Sequence, residues 1–355
     1  MIKNLNKVKI IAEIGVNHNG SIPLAKKLIK IAKYAGADFV KFQNWKAESL
    51  VTKNAEMAYY QKKNTKKKFK QISLLKPLEL KNKDYFSLTR YCKKNNIEFL
   101  SSPFDELSYQ FLTKKLKCKK IKIPSGEINN FLMLSKVDLN KEKVFISTGM
   151  ASLTEIANCI NFISKSKIYV NKNKKIIINQ KSKINFLKKK IVIMHCVTDY
   201  PVQDNFANLN AIKTIKDTFK LPVGYSDHTS GVIAPVIAAS FGAILIEKHL
   251  TINQNFKGPD HKASLNPSQF KIMVNNVRSF ENMRGNGIKL PQICEKKNMK
   301  VARKSIVAKE KIKRGENFTF KNITVKRPAG GKDPSQYFQL LGKVAKKNYG
   351  KDQKI

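Results

Sequence analysis

The chain has 355 residues, of which 42% are hydrophobic, and this is enough to bury one large core, or a large core and a small one. Its formal net charge is +44, since 69 lysines and arginines stand against 25 acidic residues. The composition excludes a disordered tail, whereas the charge alone suggests an acidic partner such as nucleic acid, an anionic membrane or a phosphorylated substrate.

The positive charge comes almost entirely from lysine. Six basic residues are arginine, which leaves 63 lysines. Arginine is the residue that base readout mostly needs, so we prefer a compositional bias spread over solvated faces and expect no nucleic-acid partner. A basic field would still help to attract an anionic substrate.

The cysteines and the apolar runs indicate the cellular compartment of the protein. Cysteine occurs five times, an odd number without a C-x-x-C pair, so neither a disulfide framework nor a zinc knuckle is predicted and a reducing compartment is favoured. The N-terminus lacks a sustained apolar run, and the longest apolar stretch, 231–246, is interrupted by Pro235, Ser240 and Gly242. We expect a soluble, cytoplasmic protein that does not contact a membrane.

Eight short apolar runs, mostly β-branched, follow one another and each ends in polar residues. In chain order they are KIIAEIG (9–15), ADFVKFQ (37–43), IEFLSSPF (97–104), IKIPSGE (121–127), VFISTG (144–149), IVIMHCVT (191–198), LPVGYSDH (221–228) and ILIEKHL (244–250). Segments between them, such as IPLAKKLIKIAKYAGA and GVIAPVIAASFGA, have helical periodicity and end in Gly-Ala, which is typical of a helix C-cap. Eight such units in about 250 residues predict an α/β protein with a (β/α)8 TIM barrel. No G-x-G-x-x-G follows the first run, which disfavours a doubly wound sheet.

Active sites of this fold lie at the C-terminal ends of the strands, where these runs carry their polar residues. In order they are Glu13; Lys41 and Gln43; Ser101 and Ser102; Lys122, Ser125 and Glu127; Ser147 and Thr148; His195, Thr198 and Tyr200; Ser226, Asp227 and His228; Glu247 and His249. Glu247 and His249 share one face of their strand and Lys248 points to the other.

Two histidines, His228 and His249, end adjacent runs and can bind one metal ion as neutral imidazoles. With no cysteine nearby, the remaining positions would be open to water and substrate oxygens. This favours Mn²⁺, with Mg²⁺ as the alternative, acting as a Lewis acid rather than structural zinc. The other interpretation, that each histidine only hydrogen-bonds within the barrel rim, stays open.

Two lysines lie inside apolar runs, where an unpaired ammonium is costly, so a functional role is favoured for Lys41 and Lys122. Together with Ser125 and Ser147 they can bind phosphate and carboxylate groups. The same reasoning applies to Glu13. His195 is interpreted as a buried, hydrogen-bonded histidine.

Nine segments carry a resemblance to a known family, in order over nearly the whole chain. They are AEIGVNHNGS, VKFQ, KIPSGE, ISTGM, HCVTDYP, GYSDHTSG, IEKH, GPDHKASL and VKRPAGG. Together they resemble the sialic acid synthases, which include N-acetylneuraminate and N,N'-diacetyllegionaminate synthases. The resemblance implies an enzyme that joins phosphoenolpyruvate to an N-acylated mannosamine-type sugar and releases phosphate. It also implies a barrel (1–285), a linker (286–298), an antifreeze-like SAF domain (299–355) and a domain-swapped homodimer.

The resemblance also implies a role for each matching residue. His228 and His249 would bind the metal. Glu13, Glu127 and Lys122 would be catalytic, with Glu127 near the reacting carbons. The remaining residues would bind the substrates. On the phosphoenolpyruvate side these are Lys41, Gln43, Asn64, Ser102, Ser125, Ser147 and Ser226. Thr198, Tyr200 and Asp260, together with Glu13, would contact the sugar, and Arg327 would contact the N-acyl group in the partner subunit's site.

Departures from the family pattern leave some points open. Ser102 stands where many members have threonine, Thr198 where some have asparagine, and RPAGG replaces the commoner RPGNG. The lysine-rich segment 169–190 is longer than the connection expected there and is predicted to be a surface insertion. The motifs fit both neuraminate and legionaminate synthases. A Schiff-base aldolase or lyase on the same barrel and a basic nucleic-acid-binding protein are the alternative functions.

Overall fold

The computed structural model describes residues 7–66, 69–165 and 181–355, and the backbone of two short antiparallel strands at Tyr169–Val170 and Ile176–Ile177. It contains two compact units, Met1–Gly285 and Asn286–Ile355. Residues 171–175 and 178–180 of the predicted insertion at 169–190 lie outside the described residues, and its last part is a helix, Lys181–Lys190.

The first unit is built on eight parallel strands whose positions match the eight predicted runs. They are β1 Lys9–Gly15, β2 Phe39–Asn44, β3 Glu98–Pro103, β4 Lys120–Ile123, β5 Lys143–Ser147, β6 Ile191–His195, β7 Val223–Asp227 and β8 Leu245–His249. Their order in the sheet is β3-β2-β1-β8-β7-β6-β5-β4, and the two end strands, β3 and β4, contact each other. The sheet is therefore a nearly closed barrel, and the predicted fold is confirmed.

Helices connect the strands, and the longer ones pack on the outside of the barrel. Their bounds are α1 Ile22–Ala35, α2 Ala47–Leu50, α3 Tyr59–Thr65, α4 Gln71–Leu75, α5 Asn82–Lys94, α6 Glu106–Gln110, α7 Phe131–Leu134, α8 Leu153–Ser164, α9 Lys181–Lys190, α10 Ala211–Phe219, α11 Ile233–Ser240 and α12 Pro267–Met283. A π-helical turn, Phe111–Lys115, extends α6, and single 3₁₀ turns lie at Lys76–Leu78, Ser125–Glu127, Asp204–Phe206 and His261–Ala263.

The first helix shows how the sequence sets these bounds. The Ser21 side chain accepts a hydrogen bond from the Leu24 N–H and caps the N-terminus of α1. Gly36, with φ of 95°, ends the helix in the left-handed conformation that favours glycine, as the Gly-Ala pattern predicts.

The interior of the barrel has an apolar floor beneath a polar layer. Its floor consists of Ile11, Phe39, Leu100, Phe145, Val192, Met194 and Leu245. Because side chains two residues apart share a face of a strand, Glu13 follows Ile11 inward and Lys41 follows Phe39. The predicted site residues therefore lie on the same strand faces as the floor.

The connection between β2 and α5, residues 45–81, is long and carries the short helices α2, α3 and α4. Part of it packs in a small core of Val16, Trp45, Ala47 and Leu75, separate from the main core between strands and helices. This connection lies at the C-terminal ends of the strands and forms one wall of the cavity described below.

The second unit contains α13 Glu295–Ala302, β9 Ser305–Ala308, β10 Ile323–Lys326, a 3₁₀ turn at Pro334–Gln336 and α14 Tyr337–Leu340. Strands β9 and β10 pair in antiparallel orientation. The second unit has a hydrophobic core of its own, which includes Ile306, Phe318 and Tyr349. Across the described part of both units, no helix is long and apolar enough to cross a membrane.

Candidate active site

A cavity of about 410 Å³ opens at the C-terminal ends of the barrel strands. It is lined by all but three of the predicted site residues: Glu13, Lys41, Gln43, Ser102, Lys122, Ser125, Ser147, Thr198, Tyr200, Ser226, His228, His249 and Asp260. These residues come from strands, or the loops directly after them, around the whole barrel, so the barrel register determines which of them meet.

A cluster of four charged side chains lies at the base of the cavity, and we call Glu13, Lys41, Lys122 and Glu247 the inner cluster. Lys41 Nζ is 2.9 Å from Glu13 Oε1 and 3.7 Å from Glu247 Oε1, and Lys122 Nζ is 2.6 Å from Glu247 Oε1. All four side chains are buried. The register of the strands accounts for the pairing, because Glu13 lies opposite Lys41 on the neighbouring strand.

The electrostatics of the inner cluster favour the ionised forms of Lys41 and Glu247. Burial raises the pKa of Glu13, and Lys41 offsets this rise only in part. Burial opposes the charge of Lys41, but Glu13 and Glu247 outweigh it and raise its pKa. Burial likewise opposes the charge of Glu247, yet Lys122 and Lys41 lower its pKa to about 2. Two cations and two carboxyl groups are thus held together away from bulk water.

Several polar atoms around the inner cluster have no hydrogen-bond partner in the described part of the chain. Those on residues that line the cavity are Glu13 Oε2, Trp45 Nε1, Ser147 Oγ, Thr198 Oγ1, Glu247 Oε2 and His249 Nδ1. Buried polar atoms are normally paired, because an unpaired one costs about 1–3 kcal/mol. Their concentration in one cavity indicates a site for a polar ligand.

The two histidines lie side by side, with ring centroids 5.6 Å apart. His228 Nδ1–H donates to the Val197 carbonyl, so its Nε2 carries the lone pair, and Ser226 Oγ lies 3.5 Å from this nitrogen. Burial lowers the pKa of His228 to about 4, and burial together with His228 lowers that of His249 well below its usual value. Neutral imidazoles are the form that binds metal ions, so the two rings fit a divalent cation. No group of three or more ligating side chains occurs among the described residues, so other ligands would be substrate oxygens or water.

One side of the cavity is aromatic. The Tyr200 ring centroid lies 4.1 Å from that of His228 and 4.7 Å from that of Tyr60, which belongs to α3. Asp260 lies next to these rings, 3.8 Å from His249 Nδ1, and burial, with a contribution from Glu13, raises its pKa to about 7. A carboxyl group with this pKa can exchange a proton with a ligand near neutral pH.

The outer part of the cavity is apolar and lacks charged side chains among the described residues. Its lining comes mainly from the 45–81 connection and includes Leu50, Val51, Tyr60, Gln61, Gln71, Leu74, Leu75 and Leu78. The two glutamine amides and the Tyr60 hydroxyl are the neutral polar groups of this wall. Among the described lining residues, those of the 45–81 connection are therefore uncharged, whereas the strand ends carry the charged side chains.

Three predicted site residues do not line the cavity. Glu127 lines a neighbouring cavity, where its carboxylate accepts a hydrogen bond from Asn130 Nδ2 at 2.6 Å. Asn64 Nδ2 donates to the carbonyls of Tyr200 and Pro259, both at 2.7 Å, and so joins two loops at the cavity wall. Arg327 is exposed in the second unit. The roles implied for these three residues remain predictions.

Other placements refine the sequence analysis. His195 lies outside the cavity, and its Nε2–H donates to the Ala207 carbonyl at 2.9 Å. Glu247, to which no role had been assigned, accepts hydrogen bonds from Lys122 and from Ser226 Oγ. The sequence signal that could have assigned a role to Glu247 is its position at a strand end, two residues before a predicted metal ligand. For Tyr60, Gln61 and Gln71 the sequence offers no comparable signal, because they lie in an irregular connection.

A close backbone approach shapes the floor beside Ser125. The Gly149 N–H donates to Ser125 Oγ at 3.1 Å, and a Cβ at position 149 would lie 2.2 Å from Thr198 Oγ1. Only glycine fits here, and it lets the loop after β5 approach two of the predicted ligand-binding hydroxyl groups.

Comparisons with known proteins give a consistent result. The NeuB family profile matches residues 28–289, and the SAF domain profile matches residues 303–355. The chain is 44% identical to the N,N'-diacetyllegionaminic acid synthase of Campylobacter jejuni subsp. jejuni serotype O:2, over 99% of each chain. It is 40% identical to the enzyme of that name from Legionella pneumophila subsp. pneumophila, over 94% of this chain and 89% of the relative.

Among solved structures, the chain resembles the N-acetylneuraminic acid (sialic acid) synthetase of Leptospira borgpetersenii serovar Hardjo-bovis. The TM-score is 0.68 and the sequences are 30% identical, over 84% of this chain and 94% of that one. The similarity therefore extends across both units in sequence and across most of the chain in structure.

Proposed function

The chain belongs to the NeuB family of nonulosonic acid synthases, which condense phosphoenolpyruvate with an N-acylated amino sugar, and we propose that its acceptor is the 2,4-diacetamido-2,4,6-trideoxymannose that yields N,N'-diacetyllegionaminic acid. Its identity to two synthases of that product, 44% and 40%, exceeds its 30% identity to the neuraminic acid synthetase.

The observation that carries the acceptor assignment is the uncharged outer wall of the cavity. An acceptor with a phosphate group would need a cation at that end, and the described lining there offers leucine, valine, tyrosine and glutamine side chains instead. A deoxy sugar with a terminal methyl group and acetamido methyl groups buries apolar surface against such a wall.

The base of the cavity suits phosphoenolpyruvate. Lys41 and Lys122 would bind its phosphate and carboxylate, assisted by hydroxyl groups such as Ser147 Oγ that lack a partner among the described residues. Binding the phosphate and carboxylate here would exchange the lysine–carboxylate pairs of the inner cluster for lysine–substrate pairs. Glu13 and Glu247 would then face the carbon that becomes positively charged as the new bond forms, and would stabilise that charge. We propose this role for Glu127 as well, although its carboxylate lies in the neighbouring cavity.

His228 and His249 would hold a divalent metal, and we favour Mn²⁺. When bound, the ion supplies Lewis-acid polarisation of the acceptor aldehyde. Tyr200 and Asp260 would orient the sugar beside the histidines, and the pKa of Asp260, raised to about 7 by burial, suits a group that holds or releases a proton at the acceptor.

The test measures phosphate release from phosphoenolpyruvate in the presence of Mn²⁺ and one of three acceptors: the diacetamido-trideoxy sugar, N-acetylmannosamine or N-acetylmannosamine 6-phosphate. We expect the first to have the highest kcat/KM, and a higher value for either mannosamine would refute the assignment.

His228→Ala and His249→Ala should abolish turnover and leave the fold intact, and activity that survives exhaustive chelation would exclude the metal. If the chain were instead a Schiff-base aldolase, borohydride would trap it with pyruvate.

We further propose a domain-swapped homodimer in which Arg327 contacts the N-acyl group in the partner subunit's site. Two observations support this: no arginine lines the cavity within the described residues, and Arg327 is exposed. Mixing Arg327→Ala protein with Glu13→Gln protein should restore part of the activity through hybrid dimers. An absence of rescue after demonstrated subunit exchange would show that each subunit completes its own site.

A further inference from the structure

We propose that Gln61 and Gln71 form an amide pair that recognises the second acetamido group of the acceptor, the one that N-acetylmannosamine lacks. The inference rests on the proposed function, and it assigns acceptor selectivity to two residues outside the barrel strands. Four features of the 45–81 connection support it.

The first feature is the orientation of the two amides. Gln61 Oε1 accepts from the Ala58 N–H at 3.0 Å and from Gln71 Nε2 at 3.5 Å. Since a backbone N–H can only donate, the oxygen of Gln61 must face Ala58, and the nitrogen of Gln71 must then face Gln61. This leaves Gln71 Oε1 without a hydrogen bond in the described part of the chain. An acetamido N–H is the matching donor.

The second feature is the rigidity of the pair. The Gln61 side chain is only 7% exposed, and its bond to Ala58 caps the N-terminus of α3. The N–H of Gln71 donates to the Ala55 carbonyl at 2.9 Å, which holds the start of α4 against the segment before α3. The Gln61 amide and the backbone of Gln71 are thus positioned before a ligand arrives, which lowers the entropic cost of binding.

The third feature is the position of the pair relative to the chemistry. Gln61 follows Tyr60, whose ring contacts Tyr200, and Tyr200 in turn contacts both histidines. Gln61 and Gln71 line the same cavity as Tyr60, Tyr200 and both histidines. In an open-chain acceptor whose aldehyde carbon C1 is at the histidines, C4 is three bonds further along the chain, and we infer that its substituent reaches this pair.

The fourth feature is the apolar surrounding of the pair. Leu74 and Leu75 are buried next to Gln71 on α4, and Leu50 and Val51 line the same wall. An acetamido group presents one donor, one acceptor and a methyl group, and this wall offers a partner for each. A hydroxyl group at C4 can donate to Gln71 Oε1, but it has no carbonyl oxygen to accept from an amide N–H of the pair and no methyl group to contact the leucines, so this wall would be only partly satisfied.

The experiment compares two acceptors that differ only at C4: 2,4-diacetamido-2,4,6-trideoxymannose and 2-acetamido-2,6-dideoxymannose, which has a hydroxyl group there. The variants are Gln71→Met, which keeps the volume but removes the amide, and Gln61→Glu, which keeps the acceptor for Ala58 and removes the N–H groups. Gln110→Met is the matched control, because Gln110 lies on α6 outside the cavity lining.

We expect wild-type protein and Gln110→Met to prefer the diacetamido sugar equally. In both cavity variants the ratio of the two kcat/KM values should fall by about 10-fold or more, mainly through a higher KM for the diacetamido sugar. Calorimetry with the diacetamido sugar should show the same loss of affinity without turnover. A parallel loss on both sugars, or an unchanged ratio, would overturn the inference. If the wild-type protein prefers the C4-hydroxyl sugar, the proposed function itself fails, and the two failures are thus distinguishable.

Discussion

Strand β8 carries buried charges on both of its faces, and the two faces differ in one respect. Inward, Glu247 belongs to the inner cluster, which has carboxylate oxygens without partners in the described part of the chain. Outward, Lys248 pairs with Asp227 at 2.5 Å, both side chains being fully buried. Asp227 also accepts from the Tyr225 hydroxyl group and the Thr229 N–H, and Lys248 donates to the Thr229 carbonyl. We call Lys248 and Asp227 the outer pair.

The comparison shows that burial of charge does not by itself indicate a ligand site. The outer pair is satisfied by its neighbours and lies outside the cavity, so it holds β7 to β8 and stabilises the fold. The inner cluster is equally buried but incompletely satisfied, and it faces a cavity. Unpaired polar atoms, rather than ionisable residues, are therefore the better sign of function in this barrel.

The largest effect that distinguishes the two regions is on stability. Lys248→Met leaves Asp227 buried without its cation, and we expect the free energy of unfolding to fall by about 3–5 kcal/mol. Urea denaturation measures this, with Lys83→Met on the exposed face of α5 as the control, expected to change stability by about 0.5 kcal/mol or less. Adding Asp227→Asn to Lys248→Met should recover part of the loss. A change below about 1 kcal/mol for Lys248→Met would mean that the outer pair does not stabilise the fold.

Substitutions in the inner cluster should affect catalysis instead. Charge-assisted hydrogen bonds contribute about 1.5–3 kcal/mol each, so Lys41→Met and Lys122→Met should each lower kcat/KM for phosphoenolpyruvate by about 10- to 150-fold. Steady-state kinetics at saturating acceptor measures the loss, and denaturation of the same proteins shows whether they stay folded. Wild-type kinetics in either variant would contradict a role in binding phosphoenolpyruvate.

The smallest effect is expected from lysines that belong to neither cluster. Lys188, Lys189 and Lys190 end α9 and are at least partly exposed. Neutralising all three should change kcat/KM by about 2-fold or less at physiological salt, where exposed charges more than about 8 Å away are screened. A loss as large as that of Lys122→Met would show that the basic composition is itself functional, contrary to the interpretation of the +44 charge as a compositional bias.

The barrel and much of its site could be predicted because each strand carries its own signal. An apolar run that ends in polar residues is a local pattern, and the fold brings those ends together. The pairing within the inner cluster could not be predicted, because it depends on the register that places Glu13 opposite Lys41 and Ser226 opposite Glu247. The amides of Gln61 and Gln71 lie in a connection without apolar periodicity, so only the structure shows them at the cavity.

The 45–81 connection has a consequence for how this enzyme can diversify. It supplies most of the uncharged wall, and part of it packs in a small core of its own, whereas the charged base comes from the barrel strands. Substitutions in this one segment can therefore reshape the acceptor end of the cavity while the strand ends stay as they are. For an engineer, exchanging the segment between homologues is a compact way to graft a new sugar preference onto an unchanged barrel.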